Sequence, residues 1–223
     1  MRGGSFLKPW EMNRSDLRRD EILEACQNLY EDHSFGEITL KEIGERTSCS
    51  RSSIYNYFDS REEIFLELFR REYGKWNEDL ERILHMPKMS QEQFADELAD
   101  SLEPRKTMLK LLAVNLYDIE ENCSIEQLTR FKFEYARSLN LLKDCLETHC
   151  PNVDAQAFMM GFMPFTCGLY PYTFLSGKQA EAMKTAGIVH DGLDVRTRAR
   201  TVIAMLLKGA AKIEPRKNSP RSK

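Results

Sequence analysis

The sequence predicts an all-α chain, with a small N-terminal helical head followed by a larger helical body. Three observations carry that reading. Apolar residues recur at three- and four-residue spacing through long segments, and no run of strict alternation marks a strand. Glycine and proline are sparse, 11 and 8 among 223 residues, so few breakers interrupt the pattern. Helix-start chemistry also recurs: a Ser or Thr whose oxygen can accept a free backbone N–H, with a Glu or Gln three residues later to reach back. Thr39 with Glu42, Ser60 with Glu63, Ser90 with Gln93 and Ser124 with Gln127 each precede an amphipathic run.

Taken in order, residues 1–13 (MRGGSFLKPWEMN) lack periodicity and read as a flexible arm. The first helix, near 14–33, turns Leu17, Ile22, Ala25, Cys26 and Leu29 to one side, and Phe35 and Ile38 close over that side. A second helix at 39–46 presents Leu40 and Ile43 inward, and Gly44, lacking a side chain, lets the next helix cross closely. A third, 50–57, buries Ile54 and leaves Arg51, Ser52, Ser53, Tyr55, Asn56 and Tyr57 with exposed polar atoms, with Phe58 buried behind it. Further helices are expected at 60–85, 90–102, 104–118, 124–149, 154–174 and 194–212, with a short helical turn after Lys178. The tail at 214–223 is basic and rich in breakers. The domain plan is therefore a head over 14–59, a connecting helix over 60–85 and a body over 86–213.

Composition narrows the function classes. Thirty-two basic residues against 35 acidic ones give a formal charge of -3, so any nucleic-acid contact must come from a local patch. Six cysteines without a disulfide-type framework or a leader segment read as reduced thiols of a cytoplasmic protein. The uncharged run from Ala157 to Leu175 approaches the length of a membrane span, but two prolines and two glycines interrupt it and no second span accompanies it. A doubly buried helix of a soluble protein, with no membrane partner, is the preferred reading. No phosphate-cradling glycine loop, nucleophilic triad or zinc spacing occurs, so neither an enzyme nor a cofactor or metal site is expected. Cys145, His149 and Cys150 are an incidental grouping.

Two short helices joined by a tight turn, the second rich in donors, have the geometry that enters a DNA major groove. The run from Arg18 to Phe69, including RRDEILEACQNLYEDHSFGEITLKEIGERTSCSRSSIYNYFDSREEIFLELF, resembles the DNA-binding domain of the TetR (tetracycline-repressor) family. The likeness lies in an Ile-Leu-x-Ala opening, a Phe before a Thr cap, an aromatic pair before Phe58 and a Ser-basic-Glu step into the fourth helix. It departs at Ser34 and Ser48, where glycine is usual, and at Arg61, where lysine is usual. A serine in a left-handed turn costs on the order of 1 kcal/mol.

Chemistry and matching positions together assign roles. Thr39, Ser53, Tyr55, Tyr57 and Arg61 are expected to hold DNA phosphates, and Lys41, Arg51, Ser52 and Asn56 to face bases. The resemblance implies a homodimer on a palindromic operator, formed by the last two long helices. Phe158, Phe162, Phe165, Leu169, Val202, Ile203, Leu206 and Ala210 are the expected interface, with Met159, Met163, Thr166 and Tyr170 turned inward. An apolar or aromatic effector is expected among Met108, Leu112, Phe131, Tyr135, Met159, Met163, Tyr170 and Tyr172, beside a helix kinked by Pro164. A repressor released by that effector is the leading reading. The alternative is a TetR-like regulator that acts through protein contacts, without an inducer or without binding DNA directly.

Overall fold

The computed structural model describes residues 14–114 and 116–210. The arm at 1–13 and the tail at 214–223 lie outside the described residues. Eleven α-helices occur among the described residues: α1 Arg14–Asp32, α2 Leu40–Glu45, α3 Arg51–Ile54, α4 Arg61–Leu84, α5 Gln91–Leu102, α6 Lys106–Leu112, α7 Leu116–Glu121, α8 Ile125–His149, α9 Ala155–Thr173, α10 Gly177–Thr185 and α11 Val195–Gly209. A single 3₁₀ turn, Phe35–Glu37, lies between α1 and α2.

The capping chemistry places most helix starts. Thr39 accepts the N–H of Glu42 while the Glu42 carboxylate accepts the N–H of Thr39, and Ser90 with Gln93 repeats the exchange ahead of α5. Asp154 and Asp194 cap α9 and α11 singly. The same pattern of Ser34 with Glu37 yields only the one-turn 3₁₀ element. Two expectations change. The helix expected over 104–118 is two, because α6 ends at Leu112 in a tight turn whose Val114 N–H bonds Leu111 O, and α7 restarts at Leu116. The turn after Lys178 is the nine-residue α10, started by a Ser176–Gln179 capping box and burying none of its side chains.

The chain forms two compact units, neither continuous in sequence. Among the described residues, the first comprises those from Arg14 to Lys75 together with Arg105–Arg137; the second comprises Trp76–Pro104 and Ser138–Ala210. In the first, Ile22, Cys26, Ile38, Ile43, Ile54, Phe58, Ile64 and Phe65 are buried at the meeting of α1 to α4. The Phe65 ring meets the rings of Tyr30 and Phe35 edge-on at 5.2 and 4.7 Å. Helix α6 packs on α1. There Lys110 lies 4.4 Å over the Tyr30 ring and donates to carbonyls at and just past the end of α1, those of Tyr30 and, at 3.0 Å, His33. Tyr30 returns the bond, its hydroxyl donating to Lys110 O at 3.2 Å. A lysine at a helix C-terminus satisfies orphan carbonyls and complements the helix dipole.

In the second unit, α11 packs on α5 and α9. Arg196 pairs with Asp100 and Asp96, and Arg200 with Asp96 at 2.5 Å, along the α5–α11 seam. Gly161 allows the α9–α11 approach, since a Cβ there would stand 2.6 Å from Leu206 Cδ2. Trp76 stacks on Phe162 and donates its indole N–H to Ser101 Oγ at 3.0 Å. Cys145 and His149 are tied to backbone, donating to Leu80 O and Ile83 O at 3.3 and 2.9 Å, and no group of three or more candidate metal ligands occurs among the described residues. No described helix is long and apolar enough to cross a membrane.

Candidate nucleic-acid interface

Helix α3 has only four residues, shorter than the expected 50–57, because the backbone leaves the α pattern at Tyr55 and closes a turn in which Asn56 N–H bonds Ser53 O. Ser50 caps it, accepting the N–H of Ser53. Ile54 and Phe58 are buried, which fixes the side of this segment that faces in. Gly44 acts as expected: a Cβ would meet the backbone N of Arg51 at 3.3 Å, so glycine lets α3 start close against α2.

On the opposite side, Lys41, Arg51, Ser52 and Asn56 are all exposed, and Tyr55 is 48% exposed. A cleft of about 410 Å³ between the starts of α2 and α3 is lined by Thr39, Leu40, Lys41, Arg51 and Arg61. Lys41 is tied only loosely, 3.7 Å from Glu45. All four candidate base-facing residues are therefore exposed, and Lys41 and Arg51 line the same cleft.

The candidate phosphate contacts divide. Tyr55 and Tyr57 carry phenols at the exposed or half-exposed margin. The Thr39 hydroxyl instead donates to Glu42 at 2.9 Å, and that of Ser53 to Ser50 O at 2.8 Å. Arg61 departs furthest from expectation. Its Nη1 donates to Ile38 O at 3.0 Å and Phe35 O at 3.3 Å, its Nε and Nη2 both reach Glu62 Oε1, and its guanidinium lies 4.3 Å over the Phe35 ring. Four of a guanidinium's five N–H donors are thus engaged within the chain. The guanidinium expected to hold a phosphate is thus engaged within the chain, where it staples the 3₁₀ turn against α4.

The serine penalties also vanish. No non-glycine among the described residues has a positive φ, so Ser48 carries no left-handed strain, and its N–H and hydroxyl are taken by the Glu21 carboxylate of α1. Ser34 sits at φ -75° as the cap of the 3₁₀ turn. Glu63, expected to complete a capping box with Ser60, turns elsewhere. Its carboxylate accepts the N–H of Asp59 at 3.0 Å and both the N–H and hydroxyl of Ser124 at 3.0 and 2.7 Å. Ser60 adds a bond to Asn122 O at 2.9 Å. Burial pushes Glu63 up, but the bonds from Ser124 and Asp59 outweigh it and hold the carboxyl below the ordinary range. No sequence pattern announced this tie between the start of α4 and the start of α8.

The residues expected around an effector fall into both units. In the first, Met108, Leu112 and Phe131 are buried, and Phe131 packs with Phe69, Tyr73 and Tyr135 in one aromatic cluster. In the second, Met159, Met163 and Tyr170 are half-buried, whereas Tyr172 is 71% exposed and is no interior wall.

The faces of α9 also differ from expectation. Phe158, Phe162 and Leu169 are buried inside the second unit with Thr166, so they are core rather than open surface. Ile203 of α11 and Ala210, its C-cap, are likewise buried, while Phe165, Val202 and Leu206 remain half-exposed. The open side of the α9–α11 pair carries Met160, Cys167, Tyr172 and Met205. A groove of about 440 Å³ runs along it, lined by Pro164, Phe165, Gly168, Leu169, Tyr172, Leu193, Arg198, Thr201 and Val202. An uncharged helix offers no polar face to show which side points in, and that explains the inversion.

Residues 22–68 match the sequence model of bacterial regulatory proteins of the tetR family, and residues 70–213 match that of the tetracyclin repressor-like C-terminal domain. The chain belongs to the tetR family. Among relatives, an HTH-type transcriptional regulator of Mycobacterium tuberculosis is 28% identical over 109 residues, 49% of this tetR-family chain and 47% of its own length. The matched segment thus spans about half of that relative. BetI of Rhizobium meliloti, an HTH-type transcriptional regulator, is 23% identical over 82% of this chain and 91% of its own.

Solved structures share the fold. A bacterial regulatory protein in the tetR family from Rhodococcus RHA1 superposes with a TM-score of 0.61 at 11% identity, covering 91% of this chain and 100% of its own. FadR from Thermus thermophilus, a TetR-family transcriptional repressor in complex with lauroyl-CoA, gives 0.54 at 17% identity, covering 91% of this chain and 100% of its own.

Proposed function

We propose that this tetR-family chain is a sequence-specific DNA-binding transcription regulator that acts as a homodimer and releases its operator on binding an apolar effector. The observation that carries the DNA reading is the exposure of Lys41, Arg51, Ser52 and Asn56 beside the cleft that Lys41 and Arg51 line, with Ile54 and Phe58 buried behind. Asn can pair bidentately with adenine and Arg with guanine, each for about 1–3 kcal/mol of discrimination. Tyr55 and Tyr57 hold phosphates at the margin of the groove, and Arg61 holds the turn behind them.

The open α9–α11 face supports the dimer. It is a largely apolar groove flanked by exposed Met160, Tyr172 and Met205, and a second copy of the same helix pair covers such a face by twofold symmetry. Phe165, Val202 and Leu206 are retained as interface residues on this reading. The effector reading draws on relatives of the same fold solved with lauroyl-CoA and stearoyl-CoA, and on methionine and aromatic side chains in both units.

Selection of bound duplexes from a random pool by the purified full chain tests the DNA reading. A palindromic or near-palindromic sequence is expected, with half-sites about one helical turn apart or somewhat more. Asn56→Ala should relax preference at particular base pairs; absence of any enriched sequence at low salt would refute the assignment. Calorimetry with acyl thioesters and aromatic acids tests the effector. A binder must weaken the DNA complex by the same factor by which DNA weakens its own binding.

A further inference from the structure

A run of four charged residues on a helix is ordinarily a solvated face. The run Arg18–Glu21 of α1 is different, because three of its members, Arg19, Asp20 and Glu21, have partners beyond the helix. Arg18 donates to Glu21 at 2.6 Å, and Asp20 pairs with Arg71 of α4. Arg19 Nη1 donates to the Tyr57 carbonyl at 2.6 Å, and its guanidinium lies 4.4 Å over the Phe58 ring. Glu21 accepts the Ser48 hydroxyl at 2.7 Å and the Ser48 N–H. Ser48 lies two residues before the cap of α3, and Tyr57 closes the turn that follows it. Two neighbouring side chains of α1 therefore hold the α3 segment at its two ends.

That arrangement matters because α3 is four residues long, far too short to define its own direction. Its axis is set by whatever fixes its ends. We propose that Arg19 and Glu21 are positioning residues of the reading segment 51–57: they clamp it from behind and set sequence selectivity without touching DNA. This rests on the reading that α3 meets DNA. The bonds from Ser48 also hold the Glu21 carboxyl below its ordinary range, as an acceptor used in its charged form requires.

The separation between positioning and plain stability lies in the ratio of two affinities. A tilted α3 loses base contacts, whereas the phosphate attraction that dominates binding to an arbitrary duplex survives. The experiment uses the full chain, the duplex selected by the wild type and a scrambled duplex of equal length, at fixed salt, with circular dichroism to follow folding. Glu21→Ala and Arg19→Ala should each lower affinity for the selected duplex about tenfold and leave the scrambled duplex and the salt slope unchanged. Glu21→Gln, which keeps an oxygen for the Ser48 N–H, and Arg19→Lys, which keeps a donor for Tyr57 O, should recover part of the loss.

The two alanine variants overturn the proposal if, folded, they keep the wild-type ratio, or if both affinities fall together. Should either fail to fold, Glu21→Gln and Ser48→Ala carry the same test, with an expected intermediate loss of ratio; an unchanged ratio in both overturns the clamp. If the wild type selects no sequence, the DNA reading of α3 is refuted and the clamp falls with it. That outcome is distinct from a selective wild type with equally selective variants.

Discussion

Replacing Arg61 with alanine separates two jobs that one residue could hold. As a phosphate ligand it would contribute to DNA affinity; as the staple seen here it contributes to the fold. The substitution deletes the Nη1 bonds to Ile38 O and Phe35 O and the stack on Phe35. It also releases Glu62, which is 20% exposed and regains water. Two bonds at about 1 kcal/mol each and a cation–π contact at about 0.5–1 kcal/mol give a loss of about 2–3 kcal/mol. For a chain of 223 residues, at about 2–4 °C per kcal/mol, the melting temperature should fall by about 4–12 °C. Fluorescence anisotropy across a salt series then reads the other job, since each phosphate contact adds about 0.9 to the log–log slope. The slope should be unchanged at temperatures where the variant is folded. Arg61→Lys should lose most of the same stability, because an ammonium cannot serve two carbonyls and a carboxylate as a planar fork does. A variant that melts with the wild type but shows a slope shallower by about 0.9 would refute the staple.

Glu63→Ala should cost about 3 kcal/mol by leaving the N–H groups of Asp59 and Ser124 and the Ser124 hydroxyl without their acceptor, measured by urea unfolding. Because the folded carboxyl titrates below its ordinary 4.5, that stabilisation is complete above this pH and is lost as pH falls through the depressed value. The gap between wild type and variant should therefore narrow in acid; a constant gap from pH 7 to 3 would contradict it. Leu206→Glu puts a charge beside Gly161 on the proposed dimer face, and light scattering should show the 26.0 kDa monomer instead of twice that mass. Burial raises the Cys167 thiol as it does those of Cys26 and Cys145, but Cys167 alone of the three is exposed, so a maleimide at neutral pH should label it first. Labelling of Cys167 should slow as protein concentration rises, and a rate independent of concentration through the dimerisation range would place the interface elsewhere.

What the sequence disclosed, and what it hid, follows from the range of each interaction. Thr39 with Glu42 and Ser90 with Gln93 are three residues apart, so their pairing is written locally. Ile54 and Phe58 were legible as core for the same reason. The Ser124 donors to Glu63 and the acceptors of Lys110 on His33 and of Arg61 on Ile38 lie 61, 77 and 23 residues away, and no local pattern encodes them. Ser60–Glu63 shows how a local signal is overridden: the helix starts where the pattern says, yet the carboxylate serves a more distant need. Helix α9 hid its orientation because it carries no charged residue to mark a solvent side. The break between α6 and α7 carried neither glycine nor proline.

The bond of Lys110 to the end of α1 bears on how this molecule can be cut and recombined. A reading head that ended cleanly at residue 59 could be grafted onto a foreign body as a cassette. Here the carbonyls at and just past the end of α1 are satisfied by a side chain 77 to 80 residues downstream, and the unit that contains the head also contains Arg105–Arg137. A fragment that stops after α3 leaves those carbonyls to water and exposes the Tyr30 ring, now 2% exposed. Chimeras should respect the discontinuous unit and carry α6 and the first half of α8 with the head.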